Sequence, residues 1–415
     1  MVGQVPGGEL SGRHSSLTLF RQRNFVLFWG GQSVSKVGNG IYQVGLAWAV
    51  YQLTGSTAAM GIVLAANGLP EIAFALFGGT LADRMPRRAV VLAADSVAGL
   101  VTWGLAVVSA RHGLSMSLLV TAAFLLGVVT AFYRPAYSAM NRDLIAEEDF
   151  RAANAVLSIS GNVARVLGPA IGGIAFGFGG TTVVFGLDAV SFSVAVAAMV
   201  FTVTRQRAVS PRQSLRRELM IGLKYTLTTR WLFLILAISL VANFVCLAPF
   251  FVLLPALVRA QHDGVSTLGL LTSAEVLASI AGALVIGRLR DIRASAALLV
   301  LASAIGIGTI VLGLLAEFLI ALFVGAALVG AGLSFDVIEN TVIQLRVPEE
   351  LLSRVYSVNM VVSFALLPLG YAAAGFLAHW AGTTWVLVGG GAILIASCLC
   401  AWMAQPIRNL GSVRC

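Results

Sequence analysis

Charge is what this chain of 415 residues has least of: 11% of it is Asp, Glu, Lys or Arg, less than half of the roughly 25% usual in soluble proteins. With 58% hydrophobic residues, so little charge could not keep the chain in water, and a soluble multidomain protein is excluded. The same scarcity, beside abundant Leu, Val, Ile and Phe, excludes disorder. The 44 glycines follow no triplet period, so collagen is excluded. Cysteine is scarce too. Cys246, Cys398, Cys400 and Cys415 are too few and too scattered for a disulfide framework or a zinc site, and three of them sit in or beside apolar runs as small core residues. No histidine accompanies the acidic run Glu147, Glu148 and Asp149, which reads as a solvated loop and not as a metal site. The net charge of +9 does not point to nucleic acid, because no basic stripe is interleaved with aromatics. A polytopic membrane protein remains.

A transmembrane helix needs about 20 mostly apolar residues. Twelve such runs are expected, at 24–52, 57–80, 89–110, 115–139, 151–177, 182–204, 227–258, 267–287, 294–314, 318–341, 353–379 and 384–404. Residues 1–23 are polar and hold no apolar stretch followed by a small-residue cleavage site, so a cytoplasmic tail and not a signal peptide is expected. Positive residues are retained on the cytoplasmic side. With both termini inside, 23 of the 27 cations fall in tails, inner loops and inner helix ends, two fall outside (Arg111 and Arg259) and two within spans (Lys36 and Arg165). The expectation is an all-α, multi-pass protein of the plasma membrane, bacterial and monomeric, with both termini cytoplasmic.

The longest polar interruption, 205–226, follows the sixth span and carries Arg205, Arg207, Arg212, Arg216, Arg217 and Lys224. It divides the chain into an N-terminal bundle at 24–204 and a C-terminal bundle at 227–404, with a second cytoplasmic tail at 405–415. The cluster reads as an inner-face linker, or alternatively as a contact for anionic membrane lipid. The two parts repeat each other. Gly79, Leu81 and Asp83 match Gly287, Leu289 and Asp291 at an offset of 208, and Glu147, Glu148, Gly168 and Gly173 match Glu349, Glu350, Gly370 and Gly375 at 202. Parallel six-helix repeats are the sequence sign of a transporter that rocks one half against the other around a midplane site.

Two motifs carry a family resemblance. Gly79-Thr-Leu-Ala-Asp83-Arg84-Met-Pro86-Arg87-Arg88 resembles the loop motif between the second and third helices of major facilitator superfamily transporters, with Pro86 where the family has glycine. Gly79 would admit close helix approach, and Asp83 could hold a charge-assisted bond at an inner gate. The alternative is that Arg84, Arg87 and Arg88 only set topology. Gly168-Pro169-Ala-Ile-Gly172-Gly173 matches the core of the antiporter motif of the family's exporters. Its proline bends the helix and its glycines give a smooth packing face. The flanking runs Tyr133-Arg134-Pro135-Ala136, Ala153-Asn154-Ala155 and Asn162-Val-Ala-Arg165 make the chain similar to the branch holding the enterobactin exporter and the macrolide efflux pumps. That resemblance implies a major facilitator fold of two pseudo-symmetric six-helix bundles. It also implies proton-driven antiport of drugs, siderophores or secondary metabolites by alternating access.

Ionisable groups inside a membrane are costly and therefore functional candidates. Glu71, Glu275 and Asp188, in that order, are the candidates for proton coupling. Glu71 stands first because Pro70 precedes it in a Gly- and Ala-rich helix, where an irregular backbone could open it to a cavity. An ion pair or a capped hydroxyl network is the competing role for Glu275 and Asp188, and Lys36, Arg165, Glu71 and Glu275, at similar depth, are expected to neutralise one another in a pairing the sequence leaves open. Residues three or four apart share a helix face. Stripes of Gln32, Lys36, Asn39 and Gln43, of Asn154, Ser158, Asn162 and Arg165, and of Tyr356, Asn359 and Ser363, with Asn243, are expected to line a cavity or to bond between helices. Asp95 is expected to join the Asp83 motif at the inner gate with Arg134, and Asp336, Asn340 and Gln344 a second gate equivalent to Arg134 and Asn141. No Walker loop, catalytic triad or metal cluster is present. An enzyme is not expected, and no cofactor is called for. The expected partners are protons, lipid and a small-molecule substrate. The rivals are a proton-coupled importer of a small nutrient, which the Gly168 hexapeptide argues against, and a non-transporting receptor or scaffold, which would usually append a larger soluble domain.

Overall fold

The computed structural model describes residues 19–82, 86–145, 149–203, 215–262, 264–289, 292–408 and 412–413. Helix α1 (Arg23–Thr54) ends on Gly55, whose φ of 61° lets its N–H reach back to the Tyr51 carbonyl. Helices α2 (Thr57–Ala82) and α3 (Arg87–Ala110) follow. Helix α4 (Met116–Leu144) starts under Ser115, whose hydroxyl accepts the Leu118 N–H at 3.3 Å. Helix α5 (Phe150–Val200) is a 51-residue run that turns at Gly179 and Gly180. Gly180, at φ 62° and ψ −149°, occupies a region only glycine enters without strain.

After residue 214 come α6 (Leu215–Thr228) and α7 (Arg230–Ala242). A π-helical turn at Asn243–Leu247 then leads into α8 (Ala248–His262) and α9 (Val265–Arg288). The remaining helices are α10 (Ala294–Leu314), α11 (Leu319–Gly332), α12 (Phe335–Arg346), α13 (Glu349–Ala365), α14 (Leu367–Ala381), α15 (Thr383–Met403) and the short α16 (Gln405–Arg408). One antiparallel pair of two-residue strands, Ile292–Arg293 with Ser412–Val413, pins the final residues to the turn after α9.

The molecule is an all-α, multi-pass membrane protein. Among the described residues, nine helical segments are long and apolar enough to cross a bilayer, against the twelve expected. Three physical features account for the difference. The α5 run holds two helical arms joined at Gly179 and Gly180 with no loop between them, and so counts once. Helix α1 is diluted by Gln32, Lys36, Asn39 and Gln43. The expected eleventh span is divided at Leu366 into α13 and α14. The segment expected as a linker is helical over Leu215–Thr228, where Tyr225 packs with Trp231, Leu232, Leu351 and Tyr356. Large apolar side chains remain on the outside, among them Leu100, Ile320 and Trp380 at 72%, 79% and 85% exposure. Such a surface suits lipid and would aggregate in water.

Helix α1 lies along α5, α2 packs on α4, and α3 packs on both α4 and α5; α10 packs on α11 and α15, and α9 on α11. The broadest contacts between the N-terminal and C-terminal helices are α5 with α9 and α2 with α14.

Candidate functional site

Those two contacts are built alike. On α5, Gly168 and Gly172 face α1: a methyl group on Gly168 would sit 2.8 Å from Gly40 Cα, and one on Gly172 3.0 Å from Ile41 Cα. Gly173 faces α9 instead, where a methyl would lie 2.9 Å from the Val265 carbonyl oxygen. On α14, a methyl on Gly375 would lie 2.6 Å from the Thr57 carbonyl oxygen of α2. Gly269 and Gly61 complete the two crossings, backing onto Pro169 and Tyr371. The offsets of 208 and 202 found in the sequence relate these partners one to one. Hydroxyls fasten both: Ser266 Oγ donates to the Gly173 carbonyl at 3.1 Å and Thr57 Oγ1 to the Gly375 carbonyl at 3.0 Å. Both crossings sit at the end of the bundle marked by the Gly55 turn. There Tyr51 also donates to the Val252 carbonyl at 2.9 Å, and Arg259 donates to the Tyr51 carbonyl. Ser273, bonded to the Val166 carbonyl at 2.7 Å, carries the α5–α9 contact toward the middle.

A polar network runs through α1 to α4. Gln32 Nε2 donates to Asp95 Oδ2 at 2.7 Å, and the Tyr133 hydroxyl donates to Gln32 Oε1. Tyr133 stacks on Tyr137 at 5.3 Å. Lys36 Nζ donates to the Tyr137 hydroxyl at 3.0 Å and lies 4.8 Å from that ring's centre. Glu71 forms an ion pair with Arg134. At the helix ends Arg87 bonds Asp143 at 2.7 Å, while Arg88 caps the last turn of α5 through the Met199 and Val200 carbonyls at 3.2 and 2.7 Å. Asn39, Gln43, Arg134 and Arg165 are exposed and Asn162 half-buried. Asn39 returns a bond to the Ser35 carbonyl at 3.1 Å.

The expected neutralisation takes other partners than a Lys36 pair. Glu71 is met by Arg134 and Lys36 by a tyrosine, while the charge of Arg165 acts on Glu275. Glu275 is 4% exposed, and its Oε1 has no hydrogen-bond partner among the described residues. Asp188 is buried beside Gly38 and Ser191; its Oδ2 and the Tyr42 hydroxyl are both without hydrogen-bond partners among the described residues. Asp95 is joined to Gln32, whereas Asp83 and Arg84 lie outside the described residues, as do the side chains around Gly79 and that of Ser363.

The C-terminal helices enclose a cavity of about 350 Å³ between α7, the π-helical turn, α12 and α13. Asn243 stands where the helix widens, and Asn359 lines the opposite wall. Asp336 and Glu339 project from α12; Glu339 is 3% exposed and accepts a bond from Ser239 Oγ at 3.3 Å. Sequence reasoning missed Glu339, although it follows Asp336 by three residues and so shares its helix face. Tyr137 and Asp143 were missed as well; Tyr137 follows Arg134 at the same spacing. Among the described residues no group of three or more His, Cys, Asp or Glu is placed to hold a metal.

Comparison with known proteins agrees with this geometry. The family model described as transmembrane secretion effector matches residues 14–412. Macrolide efflux protein A of Streptococcus pyogenes is 24% identical over 396 residues, covering 93% of this chain and 97% of that protein. The enterobactin exporter EntS of Citrobacter koseri is 26% identical over 330 residues, covering 78% and 77%. Among solved structures, a peptide transporter POT superposes with a TM-score of 0.75 at 14% identity, covering 96% of this chain and 99% of that one. That likeness shows a major facilitator fold, and the family is one of transporters and not of catalysts.

Proposed function

The chain belongs to the transmembrane secretion effector family, and from that premise we propose that it is a proton-coupled secondary transporter exporting amphipathic small molecules by alternating access. The observation that carries this reading is the pair of glycine-on-backbone crossings, α5 on α9 and α2 on α14, related by the internal repeat. Two such crossings at one end form a closed gate about which two halves can rock.

In this reading the α5 run contains two crossings, α1 adds one, and α13 with α14 make one broken crossing. Twelve spans result, six on each side of residues 205–226. The positive-inside distribution sets both termini in the cytoplasm, so the sealed end faces out and the polar network opens inward. Lys36, Asn39, Gln43, Asn162 and Arg165 line the N-terminal wall; Asn243 and Asn359 line the C-terminal one. Gly168, Pro169, Gly172 and Gly173 keep the outer gate tight to protons. Gly79, Asp83, Arg84, Arg87, Arg88 and Asp95 latch the inner gate. Glu71 exchanges Arg134 for a proton as the gates alternate, with Glu275 and Asp188 as further carriers.

The test is transport in inverted membrane vesicles with an imposed proton gradient. Wild-type protein accumulates an amphipathic probe, and Glu71→Gln reduces gradient-driven uptake at least tenfold; full activity in that variant removes Glu71 from the coupling role. A second reading is import of a small nutrient by proton symport, and the fold likeness to a peptide transporter favours it. Right-side-out vesicles decide between the two: gradient-driven accumulation of peptides or nucleosides there, with none of drugs in inverted vesicles, establishes import.

A further inference from the structure

At one matching position the two parts carry opposite charge, Arg134 in the N-terminal part and Asp336 in the C-terminal part. On the N-terminal side Lys36 of α1 meets Tyr137 of α4, and Arg134 stands one turn before Tyr137. On the C-terminal side Ser239 of α7 meets Glu339 of α12, and Asp336 stands one turn before Glu339. The repeat offset of 202 carries Arg134 onto Asp336 and Tyr137 onto Glu339. The N-terminal side pairs its arginine with Glu71, whereas the C-terminal cavity is lined by the exposed Asp336 and the buried Glu339 and, among the described residues, by no Lys or Arg.

The cationic wall is internally satisfied, since Arg134 is paired with Glu71 and Lys36 lies on Tyr137. The anionic wall is not balanced in the same way. Glu339 is 3% exposed and, among the described residues, receives one hydroxyl, with no Lys or Arg among the described residues lining its cavity. The neighbouring donors are committed to the backbone. Asn243 Nδ2 donates to the Ser239 carbonyl at 2.9 Å, Asn340 Nδ2 to the Asp336 carbonyl at 2.7 Å, and the Tyr356 hydroxyl to the Asn340 carbonyl at 3.2 Å. What these groups leave facing inward is an excess of acceptors over donors. The rest of the lining, including Leu247, Phe251 and Met360, is apolar.

A hollow of about 350 Å³ lies within the usual range for small-molecule sites, roughly 300 to 1,000 Å³. Acceptor-rich and lined by two carboxyl groups, it selects against anions, and the buried Glu339 would be stabilised by a counter-ion brought beside it. The aromatic ring of Phe251 suits a cation as well as an apolar body.

We propose that the cavity between α7, α12 and α13 is the headgroup site for an amphipathic organic cation, with Glu339 and Asp336 as its counter-ions. This names the substrate class for the transporter reading above and rests on it for the direction of movement, but binding itself does not depend on that reading.

The experiment is equilibrium binding of tetraphenylphosphonium to the full chain in lipid nanodiscs, with no gradient applied and with tetraphenylborate as an anion of nearly the same shape. Wild-type protein binds the cation saturably and the anion at least tenfold more weakly. Glu339→Gln weakens cation binding at least tenfold, Asp336→Asn weakens it less, and Glu339→Asp retains most of it. Should Glu339→Gln fail to fold, wild-type protein is modified with dicyclohexylcarbodiimide and digested for mass spectrometry. Tetraphenylphosphonium slows labelling of Glu339 and tetraphenylborate does not. Cation affinity unchanged in the folded Gln variant, or labelling that the cation does not slow, overturns the assignment. So does a Gln variant that loses proton-driven transport while keeping full cation affinity, since Glu339 is then a proton carrier only. Absence of gradient-driven transport with cation binding intact overturns the transporter reading and leaves the site standing.

Discussion

The crossing of α5 on α9 and the crossing of α2 on α14 are built on matching glycines, whereas at another matching position of the two repeats, Arg134 and Asp336, the charge is inverted. Gly173 and Gly375 both press on backbone, and both receive a hydroxyl on their own carbonyl. Arg134 and Asp336, which occupy matching places in the same two repeats, have opposite signs. The difference separates two kinds of constraint. A close backbone crossing tolerates only glycine on one side, because any Cβ meets atoms that cannot turn away. A cavity wall constrains only volume and polarity, so its charges can diverge.

The largest test of the alike pair is Gly173→Val and Gly375→Val. Each puts new carbon against backbone and should lower stability by about 1 to 3 kcal/mol or more, read as a fall in unfolding temperature in detergent. Matched losses are expected. A variant at one glycine that leaves the protein unaffected would show that the two crossings do not do the same work.

Next in size, and aimed at the unlike pair, are Gln32→Ala and Ser239→Ala. Gln32 is 2% exposed and joins Asp95 to Tyr133, so its removal strands a buried carboxylate and should cost about 1 to 3 kcal/mol. Ser239 gives Glu339 one bond of 3.3 Å, and its loss should cost about 1 kcal/mol at most. Equal losses in thermal unfolding would mean that the two networks are tied down alike. The smallest effect is expected for Ser266→Ala and Thr57→Val, about 0.5 to 1.5 kcal/mol each. These should agree with each other by the same measurement.

Much of the fold was legible because hydropathy, glycine and proline act locally. Gly168, Pro169, Gly172 and Gly173 announce a close crossing by spacing alone, and the repeat offsets name the residues that take the same places in the other crossing. Charge partners were not legible. Nothing along the chain says that Glu71 meets Arg134 and that Lys36 meets an aromatic ring, since these choices depend on how α1, α2 and α4 rotate against one another. Glu339 was hidden for a different reason. It stands in a helix with polar residues toward both ends, Asp336 to Arg346, which reads as a solvated helix end, yet burial within the fold puts it against Ser239. Helix α6 was obscured by its arginines, which mark an inner face but do not forbid an amphipathic helix lying against α13.

The turn at Gly179 and Gly180 has a consequence for biogenesis. Between the arm carrying Arg165 and the arm carrying Asp188 there is no loop, only two glycines followed by Thr181 and Thr182. A hairpin so short offers almost no polar chain to be carried across a bilayer. Its two arms can enter together as one unit while the remaining helices are still being made.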